Sequence, residues 1–228
     1  GPIVRYSDFR SQLKDRRESW DNFYNGILRF CWGLAKKVMI ANSCGQIADV
    51  IFNLNFELLD TKVAWLGAIA YTLQIYFDFS AYSDMAIGLG MLFGFKTPEN
   101  FKRPYSAVSV TDFWRRWHIT LSQWFRDYLY IPLGGNRRGI PRTCFNMAVV
   151  CILCGFWHGA NWTFLIWGIY HAVFLILERV TGTRSIPAEK FRALRRAITL
   201  LIVTVGWVIF RSEDISQAMG FLGTMFTS

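Results

Sequence analysis

Three histidines, His118, His158 and His171, are the residues of this 228-residue chain best suited to proton chemistry. His158 stands in the run Phe156-Trp157-His158-Gly159-Ala160-Asn161-Trp162, between two apolar arms, 144–156 and 162–177, that carry no Asp, Glu, Lys or Arg. An ionisable group in apolar sequence of this length is a functional-site hypothesis by default where membrane depth is expected. The competing reading is a structural histidine satisfied by a backbone carbonyl. A neutral imidazole can take a proton from an attacking hydroxyl, and its pKa suits that work near neutral pH. His118 follows Arg115-Arg116-Trp117 in a basic segment, so an interface histidine among arginines competes there with a functional one. His171 lies among apolar residues and reads as packing or inter-helix hydrogen bonding.

Several other chemistries lack their residues. There is no Gly-x-Ser-x-Gly nucleophile elbow and no His-Glu-x-x-His metal motif. The His-x4-Asp pattern of soluble acyltransferases is missing, because Thr163 follows His158 and Gln123 follows His118 at that spacing. Cys151 and Cys154 have the spacing of a metal or redox pair. The same spacing places both on one helix face in a Val-, Ile- and Leu-rich stretch, and helix packing is the expectation. No metal site is expected. What remains is histidine-assisted transfer between bound substrates.

The elements that must position these histidines are helices in a membrane. Hydrophobic residues make up 53% of the chain and charged residues 18%, below the roughly 25% of soluble domains. The predicted fold is all-α: a polytopic transmembrane helical protein with re-entrant or interfacial helices, in one domain over 1–228 that is truncated at both ends. The net charge of +9 fits nucleic acid, anionic lipid or an anionic cofactor. Its clustering favours lipid headgroups and cytoplasmic loops, with no nucleic acid. Residues 5–20 read as an interfacial or cytosolic helix. Residues 27–41 are apolar but interrupted by Arg29, Lys36 and Lys37, which predicts an interfacial helix whose lysines snorkel. Two further arms, 63–77 and 85–95, enclose a polar centre with Asp78 and Asp84, which should face protein or a water-filled cavity. Gly88, Gly90 and Gly94 would permit close packing or local unwinding.

Residues 96–143 are basic and aromatic, and predict a membrane-interface or re-entrant segment on the cytoplasmic side. Residues 178–196 are a second basic loop. The positive-inside rule places both in the cytoplasm, so 144–177 must leave and return as a hairpin. Arms of about 14–16 residues span roughly 21–24 Å as helix, short of a hydrocarbon core of about 30 Å. The His158 turn is therefore expected in the outer half of the membrane, lining a cavity.

The run Gln74–Gly139 (QIYFDFSAYSDMAIGLGMLFGFKTPENFKRPYSAVSVTDFWRRWHITLSQWFRDYLYIPLGGNRRG), the segment FWHGANWTFLIWGIYHA over Phe156–Ala172 and the opening Gly1-Pro2-Ile3 resemble the membrane-bound O-acyltransferase superfamily. The alginate O-acetylation branch is the most similar. The resemblance implies a multi-pass enzyme of the bacterial inner membrane. Such an enzyme moves an acetyl group from a cytoplasmic thioester towards hydroxyls of an extracytoplasmic polysaccharide. It implies no bound cofactor, with acetyl-CoA as the donor. It also implies an extracytoplasmic acetyltransferase and polysaccharide-export proteins as partners beside the lipid bilayer. His158 corresponds to the catalytic histidine of the family and His118 to a second functional histidine on the donor route. Asn161 then holds the imidazole or polarises the carbonyl. Arg115, Arg116, Arg137 and Arg138 attract CoA phosphates or serve topology and lipid anchoring. The rivals are D-alanyl or peptidoglycan acyl transfer on the same fold, a transporter with Asp78 and Asp84 as ion-coupling groups, and a non-catalytic assembly subunit.

Overall fold

The computed structural model describes residues 1–227 apart from 17, 56, 57, 184, 185 and 188. Arg17 of the expected N-terminal helix and Arg184 of the second basic loop thus lie outside the described residues. The described elements are helical. A short helix α1, Tyr6–Lys14, precedes a long rod made of α2, Trp20–Ala35, a π-helical stretch Lys36–Ala41, and α3, Asn42–Phe52. Lys36 and Asn42 both keep right-handed helical backbone, so the three pieces are continuous. At 1.5 Å per residue the rod is roughly 50 Å long.

The rod lies against α4, Thr61–Leu92. The cations expected to snorkel over 27–41 pair with carboxylates of α4. Lys36 contacts Asp84, Arg29 Nη2 lies 2.9 Å from the same carboxylate, and Lys37 Nζ lies 2.7 Å from Asp78. Arg29 also reaches Glu99, 2.5 Å away. Charges held among apolar helices are costly unless paired, and this pairing removes the reason to reach for headgroups. Where the helices cross, glycine is required. A Cβ on Gly26 would sit 2.8 Å from the Gly88 carbonyl oxygen, and one on Gly88 would sit 2.7 Å from that of Gly26. α4 runs unbroken through its polar centre, so its glycines serve close packing and not unwinding.

Residues 93–138 are mostly short turns: a 3₁₀ turn Pro104–Ser106, α5, Val110–Trp114, α6, Ile119–Phe125, and a π turn Arg126–Tyr130. Phe113, Trp117 and Phe125 of this segment are packed inward, while Phe93, Trp124 and Tyr128 are exposed. Trp117 is 4% exposed and lies 5.0 Å from Phe101 and 4.8 Å from Trp207, ring centre to ring centre. Irregular backbone at membrane depth is tolerated where protein surrounds it. Two carboxylate oxygens of Glu178 accept from the backbone of Val110 and Thr111, 2.6 and 2.9 Å away, and pin the start of α5.

Among the described residues, three helices are long and apolar enough to cross a membrane: α7, Gly139–His158, α8, Trp162–Val180, and α9, Arg192–Arg211. α10, Ile215–Phe226, closes the described chain. α7 and α8 form the expected hairpin, but they are longer than its uncharged arms. α7 has 20 residues, roughly 30 Å of helix, enough for a hydrocarbon core. Helix continues through Arg142 and Thr143 into the basic segment, so short arms no longer force the turn to an intermediate depth. Val203, Trp207 and Val208 of α9 bury against Ala64 and Ala68 of α4 and Phe221 of α10 in one core. Leu66, Ile69, Phe145, Leu153, Leu177 and Leu201 stay exposed, as a lipid-facing surface requires.

Candidate active site

His158 is the last residue of α7. Its ring stands edge-on to Trp167 of α8 and Phe210 of α9, at centre separations of 5.3 and 5.1 Å. The α7–α8 crossing fixes that position. Gly168 there meets the α7 backbone so closely that a Cβ would lie 2.5 Å from the Cys151 oxygen. His158 is half-buried and makes no protein hydrogen bond among the described residues. Its ring nitrogens are left for a ligand or water.

His118 enters from the irregular segment. It has φ 43° and ψ 55°, left-handed backbone that a non-glycine residue adopts only under constraint, and it stands immediately before α6. The ring is 4% exposed and lies edge-on to Phe79 of α4 at 4.7 Å. Its Nδ1 lies 3.1 Å from Asn100 Oδ1. Burial pushes the His118 imidazole down to about 3, from its usual 6.5. It is therefore neutral at physiological pH, the form a proton acceptor needs.

Both histidines line two cavities. The larger, about 610 Å³, is also walled by Gln74, Asp78 and Tyr82 of α4. The smaller, about 180 Å³, is walled by Ser122, Cys151, Cys154 and His171. Trp117, His118, His158 and Trp167 belong to both walls. An imidazole pair at a shared wall can serve two ligands that approach from different sides. His171, 1% exposed, has both ring nitrogens buried without a protein partner. The thiols of Cys151 and Cys154 are free. Among the described residues, no three His, Cys, Asp or Glu side chains group as a metal site.

The other sequence-predicted residues lie away from this wall, with one exception. Asp78 lines the larger cavity while paired with Lys37. Asp84 lines neither cavity and is held between Arg29 and Lys36. Asn161 does not hold the His158 imidazole. Its Oδ1 accepts from Thr163 N at 3.2 Å as the cap of α8, and its Nδ2 donates to the Glu213 carbonyl at 2.7 Å. The amide is thereby held as a helix cap, turned to the α8 backbone and the Glu213 carbonyl, and it lines neither cavity. Arg116 is bound to Asp112 at 2.8 Å. Arg115, Arg137 and Arg138 are exposed and line neither cavity. Sequence reasoning missed Asn100, Trp117 and Trp167. The last two lie in the aromatic runs around the histidines, a signal that could have marked them. Asn100 gave no signal of its own.

A family model described as the membrane-bound O-acyltransferase family matches residues 1–212. The chain is 50% identical over 227 residues to the probable alginate O-acetylase AlgI of Pseudomonas putida, which covers 100% of this chain and 46% of that protein. It is 42% identical over 230 residues to the peptidoglycan O-acetyltransferase of Helicobacter pylori, covering 99% of this chain and 44% of that one. With the teichoic acid D-alanyltransferase of Bacillus subtilis it shares 32% identity over 238 residues, 93% of this chain and 58% of the other. The chain thus spans about half the length of the curated relatives it matches.

Proposed function

The chain belongs to the membrane-bound O-acyltransferase family, and from that premise we propose that it carries the catalytic wall of a polysaccharide O-acetyltransferase. The whole protein moves acetyl from a cytoplasmic thioester, acetyl-CoA, towards hydroxyls of an extracytoplasmic polymer such as alginate. One observation carries this reading: His118 and His158, far apart in sequence, meet at the wall shared by two cavities. Alginate as the acceptor class rests on the identity to the alginate O-acetylase.

In the proposed reaction the thioester and the acceptor hydroxyl meet at this wall. His158 accepts the hydroxyl proton as the oxygen attacks the thioester carbonyl. The tetrahedral adduct collapses, the C–S bond breaks, and the thiolate leaves with the proton returned by the imidazolium. A positioned base contributes about 10²–10⁴-fold to such a step. His118 lines the donor route. Arg115, Arg137 and Arg138 have no carboxylate partner among the described residues, and they attract the donor phosphates. Arg116, committed to Asp112, does not. The ester product leaves directly, or an extracytoplasmic acetyltransferase beside the export proteins takes the acetyl group on. The whole protein is multi-pass in the bacterial inner membrane. Ion coupling through Asp78 and Asp84 is disfavoured by the pairing of both with cations.

The test is transfer by the full-length protein in sealed vesicles. Labelled acetyl-CoA is supplied to the cytoplasmic face and alginate oligomers to the other. Label on the oligomer, or on a supplied partner acetyltransferase, supports the reading. Transfer only from a carrier-bound D-alanyl thioester replaces it with the D-alanyl reading. Movement of ions without either transfer replaces it with transport.

A further inference from the structure

Asn100 is a polar side chain with 1% exposure, set in irregular backbone between α4 and α5. Its amide orientation is fixed by one neighbour that has no freedom of role. The backbone N–H of Thr120 lies 3.3 Å from Oδ1 and can only donate. The Thr120 hydroxyl donates to the same oxygen at 2.9 Å. The other end of the amide, Nδ2, donates to Ser83 Oγ of α4 at 3.1 Å. Turning the amide over would set its NH₂ against the Thr120 N–H, two donors face to face. Oδ1 is therefore an acceptor, and the His118 nitrogen 3.1 Å from it must bring the hydrogen.

We propose that Asn100 is a positioning residue that fixes His118 as the Nδ1–H tautomer and so makes Nε2 its proton-accepting nitrogen. The choice of which imidazole nitrogen carries the proton belongs to the hydrogen bond made by the other one. Nε2 has no protein partner among the described residues, and it is not sealed in as the nitrogens of His171 are. The ring lines both cavities, so the lone pair faces the space where substrates meet. The surrounding structure holds Asn100 from three sides. Ser83 comes from α4, the Ile119 N–H donates to the Asn100 carbonyl at 3.0 Å, and Ile3 N donates to Thr120 Oγ1 at 2.9 Å. The Gly1-Pro2-Ile3 segment thus reaches the histidine through three hydrogen bonds, Ile3 to Thr120, Thr120 to Asn100 and Asn100 to His118. This over-determination also accounts for the left-handed backbone at His118.

The catalytic consequence rests on the proposed acyl transfer, but the tautomer does not, and the experiment separates them. Full-length protein carrying isotope-labelled histidine is studied by nitrogen NMR, with the His118 signals identified by their loss in His118→Ala. The expected result is a protonated Nδ1 and an unprotonated Nε2 in the wild type, and a mixture of tautomers in Asn100→Leu. A wild-type Nε2–H tautomer, or an unchanged ratio in Asn100→Leu, overturns the proposal. If Leu at this buried position prevents folding, Asn100→Asp decides. Asp keeps the acceptor for Nδ1–H and adds a negative charge beside it, which favours the imidazolium. The expected result is retained transfer with an acid limb moved to higher pH than in the wild type. The other charged or titrating groups lining the two cavities are Tyr71, Asp78, Tyr82, Cys151, Cys154, His158 and His171, and none is substituted in the Asp variant. An acid limb left unmoved in the Asp variant overturns the proposal. If His118→Ala turns over like the wild type, the role of His118 in acyl transfer fails while the NMR result still judges the tautomer.

Discussion

Gly168→Ala tests whether the α7–α8 crossing holds the site in register. The added Cβ would lie 2.5 Å from the Cys151 carbonyl oxygen and 3.1 Å from its carbon. Both are backbone atoms inside a helix, so neither can rotate aside. Ordinary contact is restored only if the helices part by roughly 1 Å. Cys151 lies two turns before His158 on α7, and Trp167, next to Gly168, walls both cavities. The separation therefore moves one side of the wall against the other. Overpacking of this kind costs about 1–3 kcal/mol, and a displacement of about 1 Å at reacting groups can cost about 10²-fold in rate. The expected result is a full-length protein that inserts, melts earlier, and transfers acetyl about 100-fold more slowly. Gly223→Ala on α10 is the control, since its Cβ meets nothing within 4 Å. Alanine there gains helix propensity of up to about 1 kcal/mol. If Gly168→Ala melts and turns over like Gly223→Ala, the crossing does not position His158.

Asp84→Asn leaves Lys36 and Arg29 facing α4 without their shared carboxylate. With Asp84 23% exposed, the expected loss is about 1–2 kcal/mol in denaturant unfolding, less than for a fully buried pair, and Lys36→Met should recover part of it. For His118 the folded pKa is lowered to about 3 from 6.5, so between those values the unfolded chain binds the extra proton. Stability contributed by the neutral imidazole is therefore full above about 6.5 and is lost as pH falls towards 3; His118→Gln should flatten this part of an unfolding series run from pH 7 to pH 5. Cysteines placed at Arg138 and Arg192, with native thiols removed, should react only with reagents that enter the cytoplasm. Labelling by an impermeant reagent in intact cells would reverse the topology.

The helical membrane class was readable because uncharged runs of this length have few other uses. His158 stood out as a candidate because a titrating side chain is conspicuous against such runs. The partners of Arg29, Lys36 and Lys37 were not, since spacing along one helix looks the same whether a cation meets a headgroup or a carboxylate on the next helix. Asn161 could have been read better. An asparagine just before an apolar helical run is a preferred cap, and the cap role uses the oxygen that would be needed to hold an imidazole N–H. The arm lengths were underestimated because uncharged sequence was equated with helix, while α7 begins among glycine, proline and arginine. The meeting of His118 with His158, and the hold of Asn100 on His118, join segments distant in sequence. No local period encodes either contact.

The measurement that bears most directly on the account is acetyl transfer by the full-length protein with His158→Gln, at matched protein level in the membrane. Glutamine keeps size and hydrogen bonding but cannot take the proton. The expected result is a fall within the roughly 10²–10⁴-fold range of a general base, with donor binding and thermal stability close to wild type. Retention of more than about a tenth of the activity, well outside that range, would contradict the central claim and leave the α7–α8 turn a structural plug.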